Sequence, residues 1–220
     1  MFKVFKDYFS EFAVLKQASR EFWIVQFSIF ADSLAYFAMT TILTMYFTTT
    51  IGFNDEQSGA IVGVWTLMIT LSIFVAGFIS DYIGIKKSFL IAIGILAASR
   101  FFMGVAPLMF DGDILKYSTV GVIWLASFGS ALVVPVNMTA MKRYTNKETR
   151  SVAFNMYYVI MNLGGVLAGY LIWGTREIVG EVNSYMAIFD VAAVIYIFAF
   201  AAMLFLRGEN YQDLDEETEE

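Results

Sequence analysis

Three ionisable residues, Asp32, Arg100 and Asp190, stand inside long apolar runs of this sequence. A charge at the centre of a bilayer costs about 2.5–3.5 kcal/mol on insertion scales, so such residues normally face protein or water and serve a function. At 1.5 Å per helical residue, Asp32 and Arg100 would lie about 15 and 18 Å from the start of their runs. Asp32 is therefore a candidate for binding a substrate or a coupling ion, with Arg100 as its charged neighbour.

Asp32 has two interpretations. It is either a carboxylate that faces a cavity, or a permanent partner of Arg100 that only locks two helices together. We favour the first for Asp32 and a supporting role for Arg100, because intramembrane charges mark solute and ion pathways. Asp190 lies close to the start of its run. It is expected near the outer surface, solvated or capping a helix.

Uncharged polar side chains in the same runs form a second set of candidates for lining a cavity. A single polar residue in a membrane helix more commonly hydrogen-bonds a neighbouring helix. Of this set, Thr40, Asn137 and Asn162 are retained as candidates for contact with a substrate or coupling ion.

The elements that must position these residues are membrane-spanning helices. Apolar residues make up 59% of the chain and charged residues only 15%, which a soluble protein of this length could not bury. Six runs are long enough to cross a bilayer core of about 30 Å. They are Phe22–Thr49, Ser58–Ser80, Ser88–Pro107, Tyr117–Met141, Ser151–Trp173 and Tyr185–Leu206.

The basic residues predict the orientation of these six spans. Eleven of the 14 Lys and Arg residues fall on the side of the two termini, and only Lys116 and Arg176 fall on the other. Lys and Arg concentrate in cytoplasmic loops, so both termini are predicted to be cytoplasmic in a multi-pass protein of the plasma (inner) membrane. Residues 1–21 have the spacing of an amphipathic interfacial helix, 22–206 form the bundle, and 207–220 are an acidic tail or linker.

Several functions are excluded or disfavoured by composition. The chain has no Cys and no His, which excludes disulfides and the common metal sites. No constellation of nucleophile, base and metal is visible, so we predict no catalytic residue, no cofactor and no enzyme activity. The acidic tail argues against nucleic acid as a partner. A channel is also disfavoured, because the sequence has no repeat of charged residues that could form a ring around a pore.

Two helix starts echo each other. Asn54 precedes the second span and Asn146 precedes the fifth, each followed by an early acidic residue. An Asn cap followed by an acid suits a helix N-terminus. Because the two starts lie on opposite sides of the membrane, they fit an inverted three-plus-three repeat, although helix starts in general look alike.

A stretch with distinctive spacing, Gly77–Lys87, separates the second and third spans and is called segment 77–87 below. Gly77 and Gly84 permit close approach or tight turning, and Asp81 is a carboxylate at a helix end. Lys86 and Lys87 mark this segment as cytoplasmic.

The order Gly-x-x-x-Asp-x-x-Gly-x-Lys-Lys in segment 77–87 resembles the signature between the second and third helices of the major facilitator superfamily. Tyr82 and Ile85 replace residues that are basic in that signature. The resemblance implies that Gly77, Asp81, Gly84, Lys86 and Lys87 form a conformational gate loop.

Two further stretches resemble the proton-coupled oligopeptide transporters of that superfamily. Tyr36–Met39 is similar to Tyr-Tyr-Gly-Met in their first helix, which makes Tyr36 a candidate site residue. Ala153–Gly164 is similar to their fifth-helix signature, aromatic-Tyr-x-x-Ile-Asn-x-Gly. The resemblance implies the N-terminal six-helix half of a transporter, an all-α bundle with an inverted 3+3 repeat.

The charged coupling residues of those transporters are largely missing. Their Glu-x-x-Glu-Arg motif falls on Ile29, Asp32 and Ser33, and the lysine of their fourth helix falls on Val134. One carboxylate therefore survives, and the peptide-symport mechanism does not transfer.

The sequence thus predicts half of a secondary transporter that moves a small-molecule solute by alternating access, with proton coupling left open. Its partners would be membrane lipid and a second six-helix bundle, which is either its own copy or a separate C-terminal half. The alternative is a non-transporting membrane scaffold or regulatory subunit that retains the six-helix fold.

Overall fold

The computed structural model of the chain describes residues 12–207, which contain six long helices and no strand. All six are long and apolar enough to cross a membrane, so the predicted all-α, six-span bundle is confirmed. A 3-10 helix, Phe12–Gln17, comes before them. The six are α1 (Arg20–Met45, continued by a π-helical turn Tyr46–Ile51), α2 (Asp55–Ile83), α3 (Ile85–Met109), α4 (Gly112–Arg143), α5 (Lys147–Val179) and α6 (Glu181–Leu204).

The two predicted terminal segments lie mostly outside the described residues. Residues 1–11 of the predicted interfacial helix and residues 208–220 of the acidic tail are not described. Phe12–Gln17 packs against α5, and its Leu15 is fully buried. Arg207 forms an ion pair of 3.4 Å with buried Glu21 at the start of α1. This pair ties the end of the sixth span to the start of the first.

The packing of the helices repeats within the bundle. α1 packs against α5 and α6, α4 packs against α2 and α3, and α3 packs against α6. Exchanging α1 with α4, α2 with α5 and α3 with α6 leaves this set of contacts unchanged. The predicted three-plus-three repeat is therefore visible in the packing.

The repeat extends to the ends of the second helix in each half. Asn54 and Asn146 both form complete capping boxes, at the starts of α2 and α5. These helices end at Gly84 (φ 83°, ψ 161°) and Gly180 (φ 80°, ψ 164°). This backbone conformation favours glycine strongly. The echo between Asn54 and Asn146 is thus a shared local structure.

The turn between α2 and α3 is shorter than the whole of segment 77–87, which the sequence suggested as the connection. Gly77 and Asp81 belong to α2, and Lys86 and Lys87 belong to the first turn of α3. Gly84 alone breaks the helix, because its positive φ reverses the chain in a single residue.

One glycine sets how closely α1 and α5 approach. A Cβ on Gly164 would lie 2.7 Å from Cβ of Ser33 and 3.0 Å from the backbone nitrogen of Leu34. Gly169, in the same helix, has no neighbouring atom within 4 Å of a Cβ built there. The α1–α5 crossing therefore depends on Gly164, and this crossing brings α5 against the face of α1 that carries Asp32.

Candidate functional site

A cavity of about 220 Å³ lies between α1, α2, α4 and α5. Asp32 of α1 is half-buried and contributes its carboxylate to the lining. Asn137 of α4 and Tyr157 of α5 contribute further polar groups. Because α1 and α4 are related by the internal repeat, the cavity lies between the two halves of the bundle.

One stripe of α1 faces this cavity. Ile29, Asp32, Ser33 and Tyr36 all line it, and their spacing of three and four residues places them on one helix face. The ring of Tyr36 packs against that of Trp65 in α2, with centroids 6.0 Å apart. Trp65 therefore helps to fix Tyr36 at the cavity wall.

Behind the cavity, Asp32 is held by a tyrosine from α6. The hydroxyl of Tyr196 donates a hydrogen bond of 2.9 Å to Oδ1 of Asp32. Tyr196 is fully buried. A neutral phenol thus fixes the orientation of the carboxylate from the protein interior.

Arg100 of α3 lies near this pair without forming an ion pair to Asp32 within 4.0 Å. Its guanidinium is fully buried and interacts electrostatically with Asp32, Tyr196 and Tyr36. Among residues 12–207 its three nitrogens form no hydrogen bond of standard geometry, and the hydroxyl oxygen of Tyr196 is the acceptor that lies beside them. Arg100 follows Gly84 by the same number of residues as Tyr196 follows Gly180. The two residues therefore occupy equivalent positions of the repeat.

The sequence profile of the Major Facilitator Superfamily matches residues 25–220, most of this chain. The chain belongs to this superfamily. The resemblance drawn from segment 77–87 is confirmed at the level of the family, and the six spans make the chain an integral multi-pass membrane protein.

Curated relatives of this superfamily member are peptide permeases. Dipeptide and tripeptide permease B of Photorhabdus luminescens is 24% identical over 196 residues, which cover 88% of this chain and 38% of the relative. The permease of the same description from Salmonella typhimurium is 23% identical over 196 residues, with the same two coverages. The chain therefore spans less than half the length of these relatives.

Solved structures share the fold. A structure described as a bacterial homologue of the human drug peptide transporters has a TM-score of 0.72 at 20% identity, over 85% of this chain and 42% of its own. A structure from work on substrate recognition in proton dependent oligopeptide transporters has a TM-score of 0.71 at 18% identity, over 88% and 44%. At these identities the likeness shows the fold alone.

The superfamily fold brings together some of the candidate residues and separates others. Asp32, Tyr36 and Asn137 all line the cavity. Thr40 does not line it, because its Oγ1 donates to the backbone oxygen of Tyr36 at 2.8 Å within its own helix. Asn162 is exposed, and its Nδ2 donates to the oxygen of Tyr158 at 2.7 Å. These last two candidates satisfy their hydrogen bonds locally.

Some lining residues were missed from the sequence. Tyr157 and Met161 of α5 lie in the stretch that carried the fifth-helix resemblance, so a signal for them was present. Ser130 lines the cavity from a run of small and apolar residues that gave no signal. The sequence also gave no signal for Tyr196, because it lies in α6, which is almost uniformly apolar.

Asp190 of α6 lies beside α3. Its carboxylate packs directly against Gly104 of α3 and is half-buried. The absence of a side chain at Gly104 leaves room for this carboxylate between the helices, and the intermediate burial of Asp190 leaves part of the side chain exposed. Asp190 does not line the cavity beside Asp32.

Part of segment 77–87, namely Ser80, Asp81, Gly84 and Ile85, lines a second, more open cavity of about 260 Å³. Asp81 is exposed and lines it from α2, opposite Lys142 and Arg143 at the end of α4. Lys86 points elsewhere and donates from Nζ to the backbone oxygen of Leu204, 2.8 Å away, at the end of α6. Segment 77–87 therefore connects the ends of α2, α4 and α6.

No group of three or more His, Cys, Asp or Glu side chains with metal-binding geometry occurs among residues 12–207. In the described part of the chain, the charged chemistry available to a ligand in the 220 Å³ cavity rests on Asp32.

Proposed function

We propose that this chain is one six-helix bundle of a secondary active transporter, which moves a small solute across the plasma membrane by alternating access. The observation that carries the proposal is the cavity beside Asp32. It lies between the two inverted halves of the bundle, where transporters of this architecture place their substrate sites.

The chain works together with a second six-helix bundle, either its own copy or a separate C-terminal half. This part of the proposal is supported by coverage, because the chain spans 38% of the length of its permease relatives. The second bundle would complete the wall of the cavity and provide the surface against which this bundle rocks. Both termini then lie in the cytoplasm, as the distribution of Lys and Arg predicts.

Transport can be tested in membrane vesicles from cells that make the chain, because any partner bundle is present there. Uptake would be measured for three labelled probes of similar size: dialanine, alanylalaninamide and N-acetyl-dialanine. We expect saturable uptake of at least one probe, lost on Asp32→Asn and absent from vesicles without the chain. Uptake of all three probes that does not depend on the chain would instead indicate a scaffold or regulatory subunit.

A further inference from the structure

The described lining of the 220 Å³ cavity carries a negative charge and no positive one. Asp32 is the only formally charged side chain that lines it within residues 12–207. The lining positions that face Asp32 from α4 are Ser130, Val134 and Asn137, which are all uncharged. A ligand in this cavity therefore meets a negative charge with no positive charge in the wall.

The carboxylate of Asp32 has one oxygen engaged and one available. Oδ1 accepts the hydroxyl of Tyr196 at 2.9 Å, and no described residue donates to Oδ2. Arg100 approaches from the protein interior, because its guanidinium is fully buried and it does not line the cavity. Oδ2 is therefore left free to accept a hydrogen bond from a ligand.

Two further polar residues, Asn137 and Ser130, line the same cavity. Asn137 is 3% exposed, and its Oδ1 is buried without a hydrogen-bond partner. The hydroxyl oxygen of Ser130, 8% exposed, is likewise buried and unpartnered. Buried polar atoms are nearly always paired in native proteins, so these two atoms indicate a missing partner. Asn137 and Ser130 line the same cavity as Asp32, so a ligand with several N–H donors is the kind of partner that this set of acceptors favours.

Three aromatic side chains also line the wall, among aliphatic ones. Tyr36, Phe37 and Tyr157 line the cavity from α1 and α5. The rings of Tyr36 and Phe37 pack edge to face, with centroids 5.7 Å apart. Aromatic faces attract ammonium groups through the ring quadrupole, and they offer no such attraction to an anion.

We propose that this cavity binds the protonated amine of a small organic cation, with Asp32 as its counter-ion and Asn137 as a second acceptor. The inference rests on the proposed transport function and narrows its substrate class. The part of the cavity that this bundle forms has a volume of about 220 Å³, which accommodates a small amine beside Asp32. A solute that presents only a carboxylate is disfavoured, because it would meet Asp32 with no positively charged side chain among the described lining residues.

The test uses the full chain, together with any bundle that co-purifies with it from native membranes, in lipid nanodiscs and isothermal titration calorimetry. Three probes differ in charge and little in shape: alanylalaninamide is a cation, dialanine a zwitterion and N-acetyl-dialanine an anion. We expect alanylalaninamide to bind at least tenfold more tightly than N-acetyl-dialanine. Equal binding of the two, or no binding of alanylalaninamide, would overturn the inference.

Asp32→Asn should weaken the binding of alanylalaninamide at least tenfold. Asp190→Asn is the matched control, since it also removes a carboxylate within a span but does not touch the cavity. We expect the control to change affinity less than twofold. An equal loss in both variants would show that the effect is not local to the cavity.

A second variant keeps the test decisive if Asp32→Asn does not fold. Val134 lines the cavity from α4 and is 41% exposed, so Val134→Lys adds a cation to the wall without touching Asp32. It should weaken alanylalaninamide binding at least tenfold and strengthen N-acetyl-dialanine binding. Unchanged selectivity in Val134→Lys would contradict the proposed site.

This inference and the proposed function fail in different ways. Binding of alanylalaninamide without chain-dependent uptake in vesicles would leave the cation site standing and refute transport. Chain-dependent uptake of N-acetyl-dialanine in preference to alanylalaninamide would leave transport standing and refute the cation site.

Discussion

The hydroxyl of Tyr196 donates to Oδ1 of Asp32 at 2.9 Å, across 164 residues of sequence. This bond joins the last span to the first and places a neutral donor next to Asp32. The arginine expected to pair with Asp32 lies nearby, yet no nitrogen of Arg100 is within 4.0 Å of the carboxylate. Asp32 is therefore held by a hydrogen bond, and it forms no direct ion pair with Arg100.

Tyr196→Phe removes this hydrogen bond and leaves a buried carboxylate oxygen without its donor. We expect the free energy of unfolding to fall by about 1–3 kcal/mol. The measurement is the thermal unfolding midpoint in detergent. Tyr170→Phe serves as control because Tyr170 is 66% exposed, and it should change stability by less than about 0.5 kcal/mol. Equal midpoints for the two variants would show that the bond contributes nothing.

Asp32→Asn tests whether Asp32 is a site residue or a structural partner of Arg100. The amide can still accept from Tyr196, so we expect a loss of less than about 3 kcal/mol, the lower end for breaking a buried ion pair. Uptake should nevertheless be abolished. Thermal stability and flux are measured on the same preparation. An aggregated Asp32→Asn protein that recovers when Arg100→Met is added would support the structural interpretation instead.

Gly164→Ala introduces a methyl group where α1 and α5 touch. The new Cβ would lie 2.7 Å from Cβ of Ser33 and 3.2 Å from the oxygen of Phe30, so the helices must separate. Overpacking of this kind costs about 1–3 kcal/mol. Gly169→Ala adds the same methyl group where no atom lies within 4 Å, and it should be neutral or stabilise the helix by up to about 1 kcal/mol. A lower unfolding midpoint for Gly169→Ala than for Gly164→Ala would contradict the conclusion that the α1–α5 crossing depends on Gly164.

The orientation in the membrane can be tested by cysteine labelling, since the chain has no native Cys. Lys147→Cys should resist a membrane-impermeant maleimide added to intact cells, because the turn before α5 is predicted to be cytoplasmic. Asp113→Cys, exposed at the start of α4, should be labelled under the same conditions. Labelling of Lys147→Cys from outside would refute both cytoplasmic termini.

Asp81→Asn tests the predicted gate role of segment 77–87. An exposed carboxylate docked on a helix N-terminus of a partner bundle contributes about 0.3–1 kcal/mol, and up to about 2 kcal/mol when partly buried. Losing it should change the maximal uptake rate several-fold and leave the affinity for the solute nearly constant. Glu177→Gln, an exposed acid at the end of α5, is the control and should change neither. A normal rate with tenfold weaker binding would contradict the gate role.

The sequence alone determined the six spans, the class of fold and the caps at Asn54 and Asn146. These features depend on local physics: a continuous apolar run must form a helix in lipid, and a cap is satisfied within four residues. The single surviving charge of the first span also pointed to Asp32, which lines the cavity. Tyr36 and Asn137 followed from motif and polarity.

Only the tertiary structure decided which polar residues share the cavity. Thr40 and Asn162 resemble Asn137 in the sequence, but they satisfy their hydrogen bonds within their own helices and do not line it. Tyr196 reaches Asp32 because α6 packs against α1, a relationship that the uniformly apolar sequence of α6 does not encode locally. The reason is physical: hydropathy fixes that a helix spans the membrane, whereas close packing at contacts such as Gly164 fixes which face it turns inward.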